Sequence, residues 1–192
     1  MKRTTGDRAD LRGFTLVELM VVVAIVGILA VIGLASFRAR VFGSKSAEAL
    51  AMMQSIRAAE ERWRGDNLTY LNVSRSGTFY PAAPTARTKR AFFNTGTCGV
   101  PVSNTDDCRW KLLNPAVTGT TEFGFMLTAG APGTQMTALD AKARPSNWAG
   151  WPDTGNHWFV LQAIADADGD GTYAKFVSSS IRGDVFRENE GE

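Results

Sequence analysis

An uncharged apolar run near the start of the chain constrains its fold more than any other feature. No charged residue lies between Leu19 and Phe37, and Glu18 is the only charge from Phe14 onward in this run. Nineteen residues form about 28 Å of α-helix, close to the roughly 30 Å of hydrocarbon in a bilayer. Because a strand would leave backbone groups unpaired in lipid, the run predicts a helix that can span a membrane.

A short basic and polar segment, residues 1–13, precedes the run and is typical of a targeting signal. Basic residues also follow the run, so charge by itself decides the orientation only weakly. A secretory signal cleaved after Ala35 is a competing interpretation, but the apolar run is longer than such signals need.

Glu18 lies at a position where a bilayer tolerates an acid poorly. The residues Thr15–Glu18 fit a capping box, in which the Glu18 carboxylate accepts from a free backbone N–H at the positive end of the helix dipole. A capping box explains an acid at a helix start, but it does not explain Gly13 directly before Phe14.

The segment Gly13–Leu19, followed by the apolar run, resembles the signal of type IV prepilins. The resemblance implies that a prepilin peptidase cuts between Gly13 and Phe14 and methylates the new terminus at Phe14. It also implies that Glu18 neutralises the terminal amine of a neighbouring subunit, because an α-amine with a pKa of about 8 is cationic at neutral pH.

The resemblance implies that the chain is a structural subunit of a type IV pilus rather than an enzyme, and that the filament serves adhesion, twitching motility or DNA uptake. The implied partners are copies of itself and other pilins in a helical filament, the peptidase, the inner-membrane assembly platform and, before assembly, the membrane. The implied location is the bacterial inner membrane, as a single-pass precursor with its head outside the cytoplasm, and then the cell surface. A type II secretion pseudopilin, a minor pilin and, outside the family, an exported calcium-binding module are the alternatives.

Helical periodicity continues beyond the apolar run. Gly65 stops it, which predicts one helix of about 52 residues, apolar over residues 14–37 and amphipathic over residues 38–65. The apolar residues of the second part are spaced by three or four and share one face: Ala49, Met52, Ile56, Ala59 and Trp63.

Residues 66–121 are rich in Thr, Pro, Gly, Asn and Ser, which predicts a long connecting loop with short local structure and little core of its own. Its basic cluster of Arg87, Lys89 and Arg90 lies in no recognised motif, so no specific nucleic acid is predicted. Cys98 and Cys108 are the only cysteines, and they would be oxidised in the compartment outside the cytoplasm, so we expect a disulfide.

Residues 122–192 predict an antiparallel sheet of about four strands. The fold class is therefore α+β, type IV pilin-like, with the second half of a long N-terminal helix packed on the sheet. The predicted strands are Glu122–Thr128, His157–Ala165, Thr172–Ser180 and Asp184–Glu188.

Asp166, Asp168 and Asp170 alternate with small residues between the second and third predicted strands. They resemble the first half of a calcium loop, but Val177 occupies the twelfth position and excludes an EF-hand. Asp-Gly pairs between apolar runs also indicate a plain hairpin turn. Both interpretations stay open, and calcium is the one candidate cofactor.

Catalytic motifs are missing from the sequence. Two cysteines and one histidine exclude a zinc site built from several Cys and His ligands, and His157 is the only residue that could serve a Ser-His-Asp enzyme. Neither a Gly-rich phosphate loop with lysine nor a Gly-x-Ser-x-Gly elbow is present. The aromatic residues around Asn147 predict packing on the sheet: Trp148, Trp151 and Trp158.

Overall fold

The computed structural model describes residues 14–82, 88–93, 98, 105–136, 139–146, 148, 150–151, 155–166 and 169–190. It divides into two compact units, Met1–Val41 and Phe42–Glu192. We call the second unit the head. The boundary between the units falls within the first helix.

Helix α1 runs from Leu16 to Asn67 and contains 52 residues. The long helix is therefore confirmed, but Gly65 does not end it. Leu68 ends it instead, in the left-handed region at φ 61°, while its N–H donates to the Arg64 carbonyl at 2.8 Å. Such a bond satisfies one of the free carbonyls at a helix C-terminus.

In the part of it that the structure describes, the rest of the head contains six short strands and one short helix. Two of the strands form an antiparallel pair, and the other four form one antiparallel sheet in which the strands lie side by side in chain order. The α+β class and the four-stranded sheet are confirmed. The bounds are Arg90–Ala91 for β1, Asp106–Leu113 for α2, Thr120–Thr121 for β2, Gly124–Gly130 for β3, Trp158–Ala165 for β4, Ala174–Ser179 for β5 and Phe186–Glu188 for β6.

One face of the sheet packs against α1. Met53 and Ile56 are fully buried there, whereas the predicted Met52 is only half-buried. The buried seam on α1 repeats with the alternating spacing of four and three residues that keeps one stripe on one side of a helix. Its members are Ala49, Met53, Ile56 and Glu60.

The connecting loop contributes a large part of this core, so the prediction that it has little core of its own was wrong. Trp110 of α2 is fully buried, stacks on Tyr80 at 5.9 Å between ring centroids and meets Phe92 edge to face at 5.3 Å. Leu113 and Val117 are buried beside them. A helix of eight residues is too short to show a clear apolar period, which is why the sequence did not reveal it.

Two arginines of α1 form hydrogen bonds with parts of the head that are distant in sequence. Arg57 donates to the Ser178 hydroxyl at 2.7 Å, at the C-terminal end of β5. Arg62 donates to the carbonyls of Leu113 and Asn114 at 3.1 and 3.0 Å, the acceptors that the end of α2 leaves free.

The outer face of the sheet is covered by the chain between β3 and β4. Trp148 and Trp151 pack together and against Phe186, which confirms sheet packing for the tryptophans. The Trp158 indole lies directly on Gly130, where a Cβ atom would come within 2.3 Å of the ring. Asn147 lies outside the described residues.

Candidate functional site

The predicted processing junction lies at the first residue of the described chain. Phe14 and Thr15 are not helical, and the Phe14 side chain is 84% exposed. Gly13 and the rest of the leader lie outside the described residues. Cleavage after Gly13 and methylation of Phe14 therefore stay predictions.

Thr15 and Glu18 form the capping box that the sequence predicts. The backbone N–H and the hydroxyl of Thr15 both donate to Glu18 Oε2 at 2.9 Å. The Glu18 N–H donates in return to the Thr15 hydroxyl at 3.2 Å. These reciprocal bonds satisfy two donors at the start of α1 and set the position of the acid.

The first half of α1 is an apolar surface that its own unit leaves uncovered. One helical stretch in the described part of the chain, Leu16–Leu34, is long and apolar enough to cross a membrane by length and composition, and none of it is buried. Its large side chains are each more than half exposed. Because so much contiguous apolar surface is unfavourable in water, it requires lipid or other protein helices around it.

The expected disulfide is present in the head. Cys98 and Cys108 are joined, and their Cα atoms lie 5.7 Å apart. Cys108 lies in the first half of α2 and is buried, next to the fully buried Trp110. The bond therefore fastens the loop to the helix that carries its main core residue.

The predicted calcium ligands lie in the turn between β4 and β5. Asp166 accepts from the Gly169 N–H at 2.7 Å and from the Gly171 N–H at 3.3 Å, and Asp170 accepts from the Thr172 N–H at 2.6 Å. Both glycines have a positive φ, 86° and 88°, which L side chains rarely adopt. Asp168 lies outside the described residues, and the described residues contain no group of three His, Cys, Asp or Glu side chains that could hold a metal. Calcium binding stays a prediction, with a turn closed by aspartate as its alternative.

We predict that calcium, if bound here, raises the melting temperature of the full chain in detergent. The gain in stability follows RT ln(1 + [L]/Kd), about 2.7 kcal/mol at a hundredfold excess over Kd, because the ion relieves repulsion among the three aspartates. Asp168→Ala should remove the gain, while Asp184→Ala at the exposed β5–β6 loop should keep it. Identical melting temperatures in calcium and in chelator would contradict the calcium site and support a hairpin turn without a metal.

The other candidate residues that the structure describes do not form a second site. Lys89 and Arg90 are exposed, but the neighbouring Phe92 is fully buried and cannot stack on a base. Arg87 lies outside the described residues. His157 precedes β4 and is half-buried.

Glu60 is an acid in the core that is not among the residues predicted to be buried. Its burial could have been predicted from helical spacing, because residue 60 follows Ile56 by one helical turn and Met53 by two and so lies on the same face of α1. Its acidic side chain made it look like part of the polar face.

A long helix with a capped apolar start, whose second half packs on an antiparallel sheet, is consistent with the type IV pilin fold. The family described as "Prokaryotic N-terminal methylation motif" matches residues 10–34. The chain is also 29% identical over 182 residues to the "Type IV major pilin protein PilA" of Myxococcus xanthus (strain DK1622), across 90% of this chain and 81% of that protein. No solved structure matches the chain significantly. The chain thus carries the prepilin methylation motif, and its resemblance to the type IV pilins is confirmed.

Proposed function

We propose that this chain is a structural subunit of a type IV pilus filament. The observation that carries the proposal is the N-terminal segment, an exposed apolar helix that begins with a capped acid. The large apolar side chains of this helix are exposed, so the helix can pack either against lipid or against identical helices in a bundle. The similarity to a major pilin supports a pilus subunit over the pseudopilin alternative.

The proposed assembly pathway has two stages, in the membrane and then in the filament. Before assembly, Leu16–Leu34 anchors the precursor in the bacterial inner membrane with the head outside the cytoplasm. A prepilin peptidase removes residues 1–13 and methylates Phe14, and the assembly platform then transfers the subunit into the filament. There the apolar helix exchanges lipid for the helices of other pilins.

Glu18 has the geometry to set the register of this packing. Both bonds from Thr15 end on Oε2, which leaves Oε1 without a hydrogen bond from the described residues. A neighbouring subunit's terminal amine, cationic at neutral pH, can therefore bind this oxygen. Because a buried ion pair barely offsets its desolvation, the pair selects one register more than it adds stability.

The methylation motif and the similarity to a protein described as a major pilin support a structural subunit over an enzyme. The function proposed here is therefore assembly, without an enzymatic step of the chain's own. Adhesion, twitching motility and DNA uptake are the uses that such a filament serves by resemblance.

Intact mass measurement tests the processing on which this function depends. Protein from native membranes should have the mass of a chain that begins at Phe14 and carries one added methyl group. A Gly13→Leu variant should keep its leader, because the peptidase would lack its cleavage site. A chain that begins at Ser36 would instead establish a secretory signal and contradict the filament proposal.

A further inference from the structure

Glu60 is an acid that the core of the head encloses completely. Its side chain has no exposed surface, although it belongs to α1. Oε2 accepts a hydrogen bond from the Leu71 N–H at 3.0 Å, whereas Oε1 has no hydrogen-bond partner among the described residues. A buried carboxylate that is only partly satisfied is costly, so the neutral acid is the form that this position favours.

The bond to Leu71 joins α1 to the chain that returns from it. We call residues 70–74 the return segment. The chain reverses at Leu68, and the return segment then reaches the edge of the sheet, where the Ser74 N–H donates to the Leu127 carbonyl at 2.8 Å and the Leu127 N–H donates to the Ser74 hydroxyl at 3.1 Å. Glu60 is thus one attachment of the return segment, and β3 is the other.

The charged groups around this junction do not offer Glu60 a cationic partner. On α1, Glu61 accepts from the Tyr70 hydroxyl, and Arg64 donates to the same hydroxyl. The guanidinium groups of Arg57 and Arg62 are bound elsewhere in the head.

Three further elements, α2, β3 and β4, add no charge that acts on Glu60. On α2, Arg109 donates to the Asn72 carbonyl and not to Glu60. The charges that act on Arg109 are those of Arg75 and Asp106. Neither β3 nor β4 contains a charged residue. The charge that acts on Glu60 comes from Glu61, which is also negative.

We propose that Glu60 is a proton-dependent latch: the neutral acid holds the return segment on α1, and loss of its proton loosens that segment. The latch is strongest in acid and weakens as the pH approaches neutrality. It is a property of the head, and it does not depend on how the N-terminal helix assembles.

The direction of the effect follows from burial. Burial raises the pKa of Glu60 to about 8 from its ordinary value of 4.5, the Leu71 N–H opposes this shift, and the charge of Glu61 adds to it. When the return segment opens, water restores the ordinary pKa. The closed state therefore binds the proton more tightly, and its advantage is complete below pH 4.5 and is lost as the pH rises to about 8.

Hydrogen exchange of the full chain in detergent measures the latch directly. The protection factor of the Leu71 amide, corrected for the intrinsic exchange rate, should fall by up to about a hundredfold between about pH 5.5 and about pH 7.5. Glu60→Gln keeps an acceptor for Leu71 but cannot ionise, so its protection should not change with pH. Asp66→Asn removes an exposed acid of the same helix and should retain the fall.

A second measurement does not depend on the variant. In the wild-type chain with ¹³C-labelled glutamate, one side-chain carboxyl should titrate with a midpoint well above the ordinary range of glutamates. Equal Leu71 protection at the two pH values, an unchanged fall in Glu60→Gln, or ordinary midpoints for all glutamates would each overturn the latch.

Discussion

Replacing Trp110 with alanine is expected to lower the free energy of unfolding of the head by about 3–5 kcal/mol, the usual cost of removing a large buried aromatic side chain. The indole is fully buried and contacts Tyr80 and Phe92. Its removal leaves a cavity at the point where α2, the loop and the sheet meet. Thermal or denaturant unfolding of the full chain in detergent, followed by near-ultraviolet circular dichroism, measures the loss.

Leu112→Ala is the matched control for this prediction. Leu112 belongs to the same short helix but is 41% exposed, so its truncation should cost far less. Equal losses in the two variants would mean that the buried Trp110 contacts contribute no more than those of a partly exposed side chain, which would contradict the prediction. A loss below about 1 kcal/mol in Trp110→Ala would contradict the core position of the loop.

Loss of filaments is the expected result for Glu18→Ala, with membrane insertion and leader cleavage unchanged. The apolar run behind the acid stays intact, so the variant should reach the membrane in normal amounts. Without the carboxylate, the terminal amine of the neighbouring subunit would enter an apolar environment unpaired, which is strongly unfavourable. Electron microscopy of surface filaments and immunoblotting of the membrane fraction separate assembly from insertion.

Two further variants distinguish the charge of Glu18 from its role as a cap. Glu18→Gln retains the side-chain oxygen that a capping box requires but removes the charge. Thr15→Ala removes the hydroxyl partner but leaves the charge in place. We expect few filaments from the first variant and many from the second, whereas the opposite result would show that the capping box suffices.

Much of the fold could be predicted because it depends on local patterns. An apolar run without charges, an S/T-x-x-E start and alternating strands each occupy a few consecutive residues, and the structure confirms the helix, the capping box and the four strands. Helix ends were less certain, since the termination at Leu68 depends on a backbone conformation that the glycine signal at Gly65 did not indicate.

The capping box at the start of α1 could also be predicted, because it depends on a local pattern. Thr15 and Glu18 interact across one helical turn, so their spacing in the sequence was sufficient. The disulfide also followed from composition, because two cysteines in one loop have a single pairing. Residues 1–13 and Asp168 lie outside the described residues, so processing and calcium binding stay predictions.

The sequence by itself determined the elements that contacts along the chain define: the apolar helix, its capped start and the strands of the sheet. Tertiary structure decided which side chains those elements bury. Trp110 reaches the core only because α2 folds back beside Tyr80 and Phe92, and Glu60 loses its water only because the return segment covers it. Burial depends on which distant segments meet, and desolvation by those segments changes the chemistry of Glu60 in a way that its sequence neighbours do not indicate.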